Sequence, residues 1–151
     1  LMQDAPITYF DEVTTGLDFE TRYALMDKIS TWYENKSSSI FLVTHYYEEL
    51  DRLANKFLIL HQGKMIDFGL KEVLFQKYCG YSVIVYDKQD EDLFPKRKKM
   101  KAPQFFEAVS CESLQDEMTV IKVLNEKNIN FKRTNHDIEL LYLNAIAGVE
   151  K

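Results

Sequence analysis

The sequence predicts an α/β layered unit followed by a smaller α+β tail, and three observations lead there. Short β-branched or aromatic runs alternate with stretches of helical periodicity over the first 80 residues, in the order strand, helix, strand, helix, strand. After Gly80 the character changes to a charge-dense connection and two further apolar helical stretches. Of the 151 residues, 46% are hydrophobic and 28% charged, the composition of a chain that builds a core rather than one that stays disordered.

Ile7-Thr8-Tyr9-Phe10 follows Pro6, ends at acidic residues and reads as a buried strand. Asp18 is a good N-cap, with Glu20 in the first turn. Phe19, Tyr23, Met26, Ile29 and Tyr33 then recur at helical spacing, so the spacing predicts an amphipathic helix over 19–34. Asn35-Lys36-Ser37-Ser38 ends it, and Ile40 to Val43 reads as a second buried strand closed by Thr44-His45. A short helix over 46–54 leads to a strand from Lys56 to His61. Gln62-Gly63 makes a hairpin turn into a strand from Met65 to Phe68, and Lys71 to Cys79 reads as a helix.

Beyond Gly80, Tyr81 to Tyr86 reads as a strand, and Asp87 to Lys101 as a polar connection containing Pro95. Ser113 to Asn128 reads as a helix with Leu114, Met118, Ile121 and Leu124 on one face. Phe131 closes a further strand, and Asp137 to Ala147 is a last apolar helix stopped by Gly148. The expected division is therefore 1–80 and 81–151.

Net charge is -5, which does not suggest a nucleic-acid binder, and the aromatics do not interleave with a basic stripe. The run Lys96-Arg97-Lys98-Lys99 with Lys101 is basic, but Asp87, Asp90, Glu91 and Asp92 precede it, and it reads as a solvated loop. Cys79 and Cys111 lie far apart without a CxxC spacing, which argues against a zinc site or disulfide framework and fits a reducing cytosol. No apolar run reaches the roughly 18–20 residues that span a bilayer.

Asp11-Glu12 falls at the C-terminal edge of the first strand, where open α/β sheets bind ligands. One carboxylate there can hold Mg²⁺ and its neighbour can polarise a water. Alone, the pair also reads as a solvated strand end. His45 stands just past the second strand, with no role assigned to His61 or His136.

The run Asp11-Glu12-Val13-Thr14-Thr15-Gly16-Leu17-Asp18 closely resembles the Walker-B and D-loop segment of ABC-transporter ATPase domains, whose usual form is DEPTTGLD. Val13 stands where proline is usual, at a position that is not a ligand. Leu42-Val43-Thr44-His45 resembles the switch-histidine loop of the same family. The stretch from Ala54 to Gly69, with Gly63 and Gly69 at its turns, resembles the hairpin that follows that loop. The ending Asp137 to Asn144, with Gly148, is similar to the tails of exporter-type subunits.

The resemblance implies a partial ABC-ATPase core over 1–80, a mostly parallel sheet with flanking helices, and an accessory or regulatory α+β domain over 81–151. It implies Asp11 as the Mg²⁺ ligand and Glu12 as the base. It implies His45 as the γ-phosphate contact, and Thr15, Gly16, Leu17 and Asp18 as a dimer-contact loop. The cofactors implied are ATP and Mg²⁺ for the intact domain. The partners implied are a membrane permease and a second ATPase subunit, at the cytoplasmic face of the cell membrane; no nucleic acid is expected. The glycine-rich phosphate loop, GxxxxGKS or GxxxxGKT, does not occur in these residues, nor does the LSGGQ signature. Leu1 reads as mid-helix sequence. The chain is therefore expected to be a fragment that binds nucleotide weakly or not at all, although its parent hydrolyses ATP. The alternatives are a non-catalytic dimerisation or regulatory fragment of such an ATPase, or a soluble ABC ATPase.

Overall fold

The computed structural model describes residues 5–34 and 36–148, and the expectations for Leu1 and Asn35 lie outside them. Over the described residues the protein is mixed α/β, with five helices and eight strands. It divides into two compact units, one running to Ala54 and the other from Asn55.

In the first unit, β1 (Ile7–Asp11) and β2 (Ser39–Val43) pair in parallel, from Ile7 against Ser39 to Asp11 against Val43. Helix α1 (Phe19–Tyr33) connects them, and α2 (Tyr47–Leu53) follows. The expected cap forms: the Asp18 carboxylate accepts from the Thr21 N–H at 2.9 Å and the Thr21 hydroxyl at 2.8 Å. Met26 and Ile29 are the buried residues of α1. Tyr33 covers one face of the strand pair, its hydroxyl sharing a hydrogen bond with Thr8 Oγ1 at 2.9 Å and its ring edge-on to Phe10.

Two expectations fail here. Phe19 and Tyr23 are exposed rather than packed inward. Neither strand is buried. Ile7, Tyr9, Phe41 and Val43 lie open on the face away from Tyr33, with Tyr9 and Phe41 stacked as cross-strand neighbours at 4.8 Å. The reason is that a two-stranded sheet with α1 on one side has no second layer among the described residues of its own unit. An unbroken apolar run then reports what the strands could bury, not what they do.

In the second unit, β3 (Lys56–His61) and β4 (Lys64–Leu70) form an antiparallel hairpin through Gln62 and Gly63, both at positive φ as a two-residue turn requires. Phe57 and Ile59 are buried. Helix α3 (Lys71–Cys79) is tied to β4 through Asp67, which accepts from Lys77 Nζ at 2.6 Å and the Tyr78 hydroxyl at 2.8 Å. The remaining strands are β5 (Ser82–Asp87), β6 (Lys99–Met100), β7 (Phe106–Cys111) and β8 (Phe131–Thr134). They form one antiparallel sheet in the order β6-β7-β5-β8. Parallel pairing among the described residues is thus confined to β1 and β2.

Helix α4 (Leu114–Glu126) packs on β5 and β7. Val120 and Leu124 meet Ile84, Tyr86, Phe94, Val109 and Cys111 in the core. Helix α5 (Ile138–Ala147) packs against α3. Val83 and Ile84 are both fully buried, so both faces of β5 are covered. The 87–101 stretch is more than a polar connection. It carries β6 and inserts Phe94 edge-on against Tyr86. Within the basic run, Arg97 pairs with Asp116 and Lys99 with Asp92. No described helix is long and apolar enough to cross a membrane.

Candidate functional site

The parallel register brings the ends of β1 and β2 level, with Asp11 opposite Val43. Whatever follows each strand therefore emerges side by side. After β1 comes Glu12, whose backbone enters the left-handed region at φ 47°, uncommon for a residue with a side chain. Its N–H donates to the Val43 carbonyl at 2.8 Å, which extends the strand pairing by one bond and pins that turn to β2. After β2 come Thr44 and His45, and His45 Nδ1 lies 3.3 Å from Glu12 Oε1.

Both side chains are about half exposed, at 54% for His45 and 50% for Glu12, so water and a ligand can reach the pair. A ring that donates through Nδ1 to Glu12 and remains neutral presents Nε2 as an acceptor. Donating through Nε2 to an anion as well requires the second proton. The ring is braced from behind: it lies 4.3 Å from the Tyr46 ring, over which the Arg22 guanidinium of α1 sits at 4.1 Å. The Tyr46 N–H donates to Thr44 Oγ1 at 3.1 Å. Neither Arg22 nor Tyr46 was marked by the sequence as part of this site. Arg22 sits one turn into α1, its N–H donating to the Asp18 carbonyl at 2.9 Å.

The loop between β1 and α1 is a succession of tight turns. The Thr15 N–H donates to the Glu12 carbonyl at 3.0 Å and the Leu17 N–H to the Thr14 carbonyl at 3.1 Å. Thr15 Oγ1 reaches Glu12 Oε2 at 3.4 Å. Gly16 takes φ 81°, which a side chain would resist. Asp18 is committed to the helix cap. The Thr21 N–H, and then the Thr21 hydroxyl, hold its carboxyl below the usual range. Asp11, Glu12, Thr15 and His45 thus gather at one end of the sheet, while Asp18 turns to α1.

Asp11 is exposed at this edge. No group of three or more His, Cys, Asp or Glu side chains among the described residues could cage a metal ion. A single hard carboxylate fits Mg²⁺, which keeps several waters and takes its remaining oxygens from a phosphate substrate. The thiols fit no such chemistry. Cys79 and Cys111 are free and buried, and burial pushes the Cys79 thiol up to about 12, far from a reactive thiolate.

No protein-family model matches the chain. Among curated proteins it is similar to ABC transporter A family member 7 of Dictyostelium discoideum, 39% identical over 88 residues, 58% of this chain and 10% of that protein. It is similar to Nod factor export ATP-binding protein I of Burkholderia pseudomallei (strain 1710b), 30% identical over 84 residues, 56% of this chain and 27% of that protein. The protein of the same name from Rhizobium meliloti is 26% identical over 148 residues, 95% of this chain and 43% of that protein. The chain spans less than half the length of each of these relatives. At modest identity, they support an ABC ATPase domain.

Proposed function

We propose that this chain carries part of the catalytic edge of an ABC-transporter ATPase subunit, the part that holds the metal and activates water. The observation that carries the proposal is the meeting of Glu12 and His45, 3.3 Å apart, just past the level ends of two parallel strands. In this reading residues 1–80 belong to the C-terminal half of the ATPase core and 81–151 to an accessory α+β segment. The subunit works as a dimer against a membrane permease of an exporter, at the inner face of the membrane.

Asp11 would be the residue that holds Mg²⁺. The ion, when bound with ATP, neutralises charge that builds on the phosphates. Glu12 accepts a proton from the attacking water, and His45 keeps the carboxylate turned toward it. The half-exposed pair leaves the water a path in. Thr15, Gly16, Leu17 and Asp18 face the second subunit in this reading, with Asp18 also fixing the start of α1.

The test is nucleotide binding and steady-state hydrolysis by the complete subunit with its permease. Asp11→Asn is expected to weaken Mg²⁺-dependent ATP binding and rate together. His45→Ala is expected to lower turnover by roughly tenfold or more with a smaller change in binding, because the carboxylate that His45 orients acts chiefly in the transition state. Normal metal dependence in Asp11→Asn would remove the metal-site assignment.

A further inference from the structure

We infer that Thr15 is a positioning residue for Glu12 within one subunit, holding the second oxygen of the carboxylate that His45 holds by the first. This inference rests on the proposed role of Glu12 as base and adds to it. Three observations carry it. The Glu12 backbone lies in the left-handed region at φ 47°, a conformation that persists only where its surroundings hold it. Two groups of Thr15 reach back to it, the N–H to the Glu12 carbonyl at 3.0 Å and Oγ1 to Oε2 at 3.4 Å. His45 Nδ1 stands 3.3 Å from the other oxygen, Oε1, so the carboxylate is gripped from both sides.

A half-exposed glutamate has several free rotamers, and water competes for each of its oxygens. A carboxylate held at both oxygens spends more time in one orientation. The backbone turn supplies the register, because the Thr15 N–H closes the turn that starts at the Glu12 carbonyl. The hydroxyl supplies the aim. A threonine at this place thus acts on the carboxylate of its own chain, whatever it also touches in a partner.

The experiment separates the hydroxyl from the shape of the side chain. Thr15→Val keeps the β-branch and removes the donor, and Thr15→Ser keeps the donor. In the complete subunit with its permease, Thr15→Val is expected to lower kcat roughly tenfold with KM for ATP nearly unchanged, and Thr15→Ser to restore most of the rate. In a Glu12→Gln background, Thr15→Val is expected to add little, because both changes act on one group. A nucleotide-free readout accompanies this. Three-bond couplings across the Glu12 Cα–Cβ bond, measured by NMR on the 151-residue chain, are expected to report one dominant rotamer in the parent and Thr15→Ser, and averaging in Thr15→Val.

Equal loss in Thr15→Val and Thr15→Ser would overturn the inference, as would unchanged Glu12 couplings in Thr15→Val. Unchanged turnover per dimer in Thr15→Val, with only subunit association weakened, would confine Thr15 to the interface and overturn it too. Full activity in Thr15→Val alongside a dead Glu12→Gln would remove the inference and leave the base assignment standing. Full activity in Glu12→Gln would remove both.

Discussion

Glu117→Ala tests how the second unit holds its polar core. Glu117 lies in the first turn of α4, 7% exposed, and its Oε2 accepts from the Ser82 hydroxyl at 2.5 Å and from Arg133 Nε at 3.1 Å. Truncation to alanine leaves the hydroxyl of Ser82, which is fully buried in β5, without its carboxylate acceptor and with only the weak Cys111 sulfur beside it. An orphaned buried donor costs about 1–3 kcal/mol. The Arg133 side chain is 37% exposed, so losing its partner adds only roughly 0.5–1 kcal/mol after solvent screening. The sum is a destabilisation of about 2–4 kcal/mol, large for a unit of this size.

Urea unfolding followed by far-ultraviolet circular dichroism measures it. The expected result is a fall in midpoint with an unchanged slope. The double variant Ser82→Ala with Glu117→Leu removes donor and acceptor together and is expected to recover much of the loss, since no buried polar group is left unmade. If Glu117→Ala shifted the stability by less than about 0.5 kcal/mol, or if the double variant were worse than the single, the reasoning would be refuted.

Two further stability predictions follow from particular contacts. A Cβ on Gly80 would sit 2.5 Å from Ser110 Oγ and 3.0 Å from the Cys111 carbonyl, at φ 90°, so Gly80→Ala should cost roughly 1–3 kcal/mol from the backbone alone. Gly69→Ala, whose Cβ meets Leu74 at an ordinary 3.6 Å, should be nearly neutral when both variants are compared by thermal melts, and equal effects would contradict the account. The Lys77 and Tyr78 side chains hold the Asp67 carboxyl at about 2, below its ordinary 3.8. A depressed carboxyl stabilises the fold above its unfolded value and loses that contribution as pH falls through the folded one. The Tm gap between the parent chain and Asp67→Asn should therefore be full above pH 3.8 and close as pH falls towards about 2. A gap that widened on acidification would count against it.

The first 80 residues were legible where local chemistry decides structure. The Asp18 cap, the Gln62-Gly63 turn and the bounds of β3 and α3 all follow from residues close in sequence. Strand β7 was not legible. Its small residues Ala108 and Ser110 weaken the strand signal, and it exists through pairing with β5, from Asp87 against Phe106 to Ser82 against Cys111, far apart in sequence. The burial of β1 and β2 was misread for a related reason, since burial depends on which layers cover a strand. At the candidate site, spacing put Glu12 and His45 just past two strand ends, and parallel pairing then follows from the helical crossover between them. The left-handed backbone of Glu12 and the Arg22–Tyr46 brace depend on how chain segments meet, and no local pattern encodes them.

The central claim, that Glu12 activates water, is tested most directly by steady-state ATP hydrolysis in the complete subunit with its permease, comparing the parent with Glu12→Gln. The amide keeps the size of the side chain and a hydrogen bond to His45, and removes the charge that takes up the proton. The account predicts a loss of roughly 10²-fold or more in turnover with ATP binding nearly intact, because the interaction is made chiefly in the transition state. Hydrolysis by Glu12→Gln at the parent rate would contradict it.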